Sequence, residues 1–80
     1  MTDPTNQDRA AWARTALSAF TAEVDGLRNP EVLCPGDRGA AIVDLLANLL
    51  HYADQHGLDA QECLHRALGH FMAEKEIVGP

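Results

Sequence analysis

Four polar side chains recur at regular intervals in the middle of this chain. Asp44, Asn48, His51 and Gln55 are spaced four, three and four residues apart. On a helix that spacing puts all four on one face over three turns. Such a row could wall a polar pocket, and the four are the ligand-binding candidates of the sequence. Asp44 would offer its carboxylate to a divalent cation, and His51 would meet a phosphate or a nucleobase. One carboxylate equips a cation site poorly, because Mg²⁺ takes one or two carboxylates together with substrate oxygens. The plainer alternative is the solvated edge of a helix that is otherwise covered. The stripe therefore assigns no catalytic residue and no metal ligand.

Other chemistry is less well supplied. His51 and His56 are five residues apart, as are His65 and His70. Helical positions five apart diverge, whereas shared ligation wants three or four. Cys63 and His70 share a face, with Cys34 as a further donor from a loop, but no recognised zinc spacing results. A cysteine nucleophile needs a base beside it, and nothing in the sequence orients a histidine toward Cys34. Cys34 and Cys63 form no CxxC pair. In a reducing compartment they are free thiols, although the sequence leaves a disulfide between them open.

These side chains must be held by helices. Of the 80 residues, 46% are hydrophobic, yet the aromatics are only Trp12, Phe20, Tyr52 and Phe71. The apolar share is thus mostly Ala and Leu, with no alternating strand pattern, which reads as all-α. The chain forms one domain, 1–80, with a loose tail over 1–5 and another over 77–80. Thr5 and Asp8 fit a cap for helix 1, whose apolar seam is Ala13, Leu17, Phe20 and Val24, widened by Trp12 and Ala16. Trp12 is expected to pack over helix 3 within its own subunit, with an interface anchor as the alternative. Gly26 stops helix 1. The segment from Leu27 to Gly36 is an ordered connection with Val32 and Leu33 tucked in.

Helix 2 starts near an Asp37 cap and ends at His56, before Gly57. Asp59 and Glu62 have the spacing of a capping box for helix 3. Helix 3 buries Cys63, Leu64, Ala67, Leu68, Phe71 and Met72 and frays after Glu76. Glu62 with Arg66, and His70 with Glu74, are spaced to pair along its surface. Gly69 within it suits a close helix crossing. The tight turn at Gly57 makes helices 2 and 3 antiparallel neighbours.

Helix 2 is apolar on two sides. Ile42, Leu45, Leu49 and Ala53 form one face, turned to helices 1 and 3. Val43, Leu46, Ala47 and Leu50 form the other, and in so short a chain only a second copy can cover it. The expected architecture is a three-helix protomer in an antiparallel bundle completed by dimerisation, with those four residues at the dimer interface.

The net charge of −6 arises from six basic against twelve acidic residues, and the basic ones are dispersed. No basic stripe exists to track a phosphate backbone, so neither nucleic acid nor an anionic membrane is an expected partner. The N-terminus is polar and acidic, and no apolar run nears the roughly 20 residues needed to span a bilayer. A cytoplasmic location is the expectation.

The stretch from Asp44 to Asp59, LeuLeuAlaAsnLeuLeuHisTyrAla between two aspartates and then a Gly57-Leu58-Asp59 turn, resembles the second half of the MazG-like, all-α nucleoside triphosphate pyrophosphohydrolases. In that family a helix with a Glu-x-x-Asp motif runs through an apolar stretch to Ala-Asp and a Gly-hydrophobic-Asp turn. The resemblance puts Asp44 on the motif's aspartate and implies a dimeric or tetrameric helical assembly that binds Mg²⁺. It covers about a third of the chain. Ala41 stands at the motif's glutamate, however, and helix 1 lacks the family's Glu-x-x-Glu pair; Glu23 and Asp25 fall on different faces. The expectation is a non-enzymatic homo-oligomer of MazG-like fold without an intact metal site or cofactor, acting through protein contacts. The alternative is Mg²⁺-dependent nucleotide binding or pyrophosphohydrolysis on the Asp44, Asn48 and His51 face.

Overall fold

Local chemistry fixes where each helix begins and ends. Thr5 accepts the N–H of Asp8 on its hydroxyl, at 3.1 Å, while Asp8 accepts the N–H of Thr5 on its carboxylate, at 2.9 Å. This reciprocal box satisfies two backbone donors that a helix start leaves orphaned. Helix α1 therefore runs Asn6–Asp25. Gly26 closes it at φ 68°, a left-handed conformation that costs glycine nothing, and returns its N–H to the Ala22 carbonyl. The computed structural model describes residues 3–78. Among them are three α-helices and one 3-10 turn, Pro30–Val32, with no strand.

Helix α2 spans Pro35–Gln55, earlier than an Asp37 cap would allow. Cys34 is the cap, its sulfur accepting the Asp37 N–H at 3.5 Å. Pro35 explains the shift: its fixed φ suits the first helical position, where a missing N–H is no loss. Asp37 lies in the first turn instead, with its negative charge toward the positive end of the helix dipole. At the other end His56 is the cap. The Leu58 N–H returns to Ala53 at 2.9 Å and the Gly57 N–H to Asp54 at 3.2 Å, with Gly57 at φ 72°. These are the paired bonds of a Schellman closure.

Helix α3 spans Ala60–Val78, with the Glu62 N–H held by the Asp59 carboxylate at 3.0 Å. Residues 77 and 78, expected in a tail, belong to this helix. Residues 1–2 and 79–80 of the expected tails lie outside those described. No helix among the described residues is long and apolar enough to cross a membrane.

The turn between α1 and α2 is stitched by hydroxyls. Arg14, Ser18 and Thr21 share a face of α1, at spacings of four and three. Thr21 is fully buried and donates to the carbonyls of Leu27 and Ser18. Ser18 donates to the Arg28 carbonyl. Arg14 grips Glu31, its Nε 3.0 Å from both carboxylate oxygens. Pro30 is buried beneath this strapping. At its far end α1 is tied to α3: Arg9 meets Glu74 at 3.1 Å, and the Asn6 amide donates to the Glu74 carbonyl at 3.2 Å. Glu74, spaced to pair with His70 along its own helix, thus crosses to α1.

The interior is thin. Among the described residues only Leu17, Ala53, Thr21 and Pro30 are buried. Several expectations of burial fail as a result. Trp12 is 61% exposed rather than packed over α3, and Val32 is exposed rather than tucked in. Leu33 and Phe20 are half-buried. Cys63, Leu64, Ala67, Leu68, Phe71 and Met72, the expected buried side of α3, are all exposed. A side chain added at Gly69 would meet nothing within 4 Å, so no helix crosses closely there within the protomer. The radius of gyration is 14.1 Å, against about 11.6 Å for a compact domain of this length.

Candidate functional site

Asp44 lies at the edge of a cleft of about 300 Å³, where the end of α1 approaches the first turns of α2. Phe20 and Asp25 come from α1, Leu33 from the connection, and Asp37, Ala40, Ala41 and Asp44 from α2. Asp37 and Asp44 are seven apart, two helical turns on one face, so they share a wall. Asp25 joins them because Gly26 ends α1 at that point. The cleft therefore gathers three carboxylates, of which the sequence reading singled out one. The seven-residue spacing of Asp37 and Asp44 was the available signal; the approach of Asp25 depends on the helix crossing.

The other stripe residues do not enter this cleft. Asn48, His51 and Gln55 continue along α2 beyond Asp44, and all four side chains are exposed. They form a solvated edge. Ala41 lines the same cleft as Asp44 and offers it only a methyl group. Among the described residues, no three of His, Cys, Asp and Glu are placed to hold a metal ion together. The three aspartates give the cleft a negative lining.

Cys34 and Cys63 are free and exposed, which answers the disulfide question for this structure. His56 stacks on Tyr52 with ring centroids 4.2 Å apart, a helix-end contact.

A second concavity lies between α1 and α2 and is far more apolar. It encloses about 470 Å³. The α1 wall carries Ala10, Ala13 and Ala16, with Leu17 at its base; the α2 wall carries Ile42, Leu45, Leu46 and Leu49. Small residues line one wall and large branched ones the other. Arg14 and Glu31 stand at its rim. The hydrogen bond to Glu31, then its charge, raises Arg14 above its ordinary pKa. The reciprocal bond from Arg14 holds the Glu31 carboxyl below its ordinary value, with the charges of Arg14 and Arg38 adding to it. The pair stays ionised across the neutral range.

The groove redistributes the interface candidates. Leu46 lines it and is 45% exposed. Val43 and Ala47 are exposed on the neighbouring face, and Leu50 is half-buried. Ile42 and Leu49, expected to face helices 1 and 3, are themselves exposed into the groove. On α3, Leu64, Leu68, Phe71 and Met72 fall at spacings of four, three and one, a continuous apolar ridge. No family model, no curated protein and no solved structure matches the chain.

Proposed function

We propose that this chain is a homodimeric helical protein that works by presenting a contact surface to other proteins. A protomer on the scale of the MazG-like bundles, without their metal site, is its architecture. Surface area is the observation that carries the reading. A compact monomer of 8.7 kDa exposes about 4,700 Å², whereas this protomer exposes 6572 Å². The excess of roughly 1,800 Å² lies within the 1,000–2,500 Å² or so that each partner buries in an obligate homodimer. The exposed apolar side chains of α2 and α3 are what such an interface would cover.

The nucleotide alternative finds less support. A metal-bound triphosphate needs its charge neutralised, and the Asp44 cleft supplies three more negative groups with Ala41 where a further ligand would stand. Sedimentation equilibrium over a hundred-fold range of concentration tests the proposal. A single species of twice the chain mass is expected, dissociating only on dilution. A monomer throughout that range would remove it.

A further inference from the structure

The apolar groove and the apolar ridge are complementary, and one chain cannot bring its own pair together. Its α3 is pinned at both ends. The Gly57 closure fixes where α3 leaves α2, and Asn6 and Arg9 hold Glu74 near its other end. In that position every residue from Gln61 to Ala73 is exposed. The ridge of Leu64, Leu68, Phe71 and Met72 is left uncovered, while the α1–α2 groove stands open beside alanines that admit large side chains.

Resting on the dimer reading above, we propose that the groove of each protomer receives the α3 ridge of a second copy, reciprocally about a two-fold axis. Each copy contributes one groove and one ridge, so the interface contains the same contact twice and closes on itself. This commits the occupant on two grounds. The surface in excess is of the size a second copy would cover, and the same chain supplies an unused helix face of matching chemistry. Large side chains on α3 then fill the space above Ala10, Ala13 and Ala16, as ridges fill grooves between packed helices.

Complementary charges test the pairing. Leu49 is 55% exposed in the groove and Leu68 is 58% exposed on the ridge, so either can change with little harm to the protomer. Leu49→Lys alone and Leu68→Asp alone each place an unpaired charge in the interface, and each is expected to be monomeric. Mixed in equal amounts, they place the new lysine opposite the new aspartate in one contact and leave the other contact native. A one-to-one heterodimer is the expected result. An isologous α2–α2 or α3–α3 interface would give no such rescue.

The proposal is overturned if either variant alone remains dimeric, or if the mixture stays monomeric while both keep native helix content by circular dichroism. Should a variant lose helix content, a disulfide trap decides. Ala13→Cys with Leu68→Cys, in a chain carrying Cys34→Ser and Cys63→Ser, is expected to give a covalent dimer on oxidation. No covalent dimer would reject the pairing. A native chain that is monomeric removes the dimer reading itself, whereas a native dimer that fails these tests removes only the groove assignment.

Discussion

Leu46→Asp is the most direct test of whether the α2 face is an interface. Full burial of a leucine stabilises by about 1.5–3 kcal/mol relative to exposure. Leu46 retains 45% of its surface open in the protomer. Covering that remainder is worth about 1 kcal/mol per copy, hence about 2 kcal/mol per symmetric dimer. The aspartate forfeits this and must also shed water, at several kcal/mol per buried ion. Two copies bring the penalty to at least about 6 kcal/mol, or more than 10⁴-fold in dissociation constant. Light scattering coupled to size exclusion reads the outcome as mass. The variant is expected at monomer mass under conditions where the native chain is a dimer. Helix content by circular dichroism separates dissociation from unfolding. A Leu46→Asp chain of unchanged dimer mass would refute the reasoning, because no interface around this residue tolerates two unpaired carboxylates.

Three further outcomes follow from the site and its supports. Thr21→Val keeps the shape of a fully buried side chain but removes its donor to the Leu27 and Ser18 carbonyls; thermal melts should show a loss of about 1–2 kcal/mol, and an unchanged melting temperature would mean the stitch is incidental. Glu31 is held below its ordinary pKa of 4.5, so its pair with Arg14 contributes above that pH and is lost as pH falls through the lowered value; Glu31→Gln should flatten the acid limb of the stability curve below about pH 4.5, and an identical limb would show that the pair does not couple to folding. A nucleoside triphosphate with Mg²⁺ at millimolar concentration should leave the melting temperature unchanged. Stabilisation of about 2.7 kcal/mol at a hundred-fold excess over Kd, abolished by Asp44→Ala, would transfer the functional reading to the acidic cleft.

Signals that act within one turn of chain were legible in the sequence. Thr5 with Asp8, Gly26 and Gly57 each mark a helix end through a bond or a backbone angle that the residue itself supplies. Asp37 signals a cap, yet α2 begins at Pro35, whose fixed φ sets the first turn with Cys34 as the cap. The Arg14, Ser18 and Thr21 face was passed over for a different reason. It is polar, and only the returning loop shows that its groups bond inward. Apolar faces were legible as faces, but not what would cover them. Periodicity identifies Leu64, Leu68, Phe71 and Met72 as one ridge. It does not distinguish cover by the same chain from cover by another, and in the protomer the expected buried side of α3 lies exposed.

The thinness of the protomer joins these observations. Ordering a chain costs about 1–2 kcal/mol of backbone entropy per residue, and small domains offset this only by burying a large share of their apolar surface. Here the described residues bury two apolar side chains beside Thr21 and Pro30, and the strongest internal ties are hydrogen bonds at the turns. Such ties fix geometry more than they stabilise. They brace the turn between α1 and α2 and tie α3 near its end, so the arrangement presents faces that its own burial leaves open. The proposed second copy would cover Ile42, Leu46 and Leu49 in the groove and Leu64, Leu68, Phe71 and Met72 on the ridge, all exposed in the protomer. Under the proposed pairing, assembly adds stability to a protomer whose own contacts already set its fold.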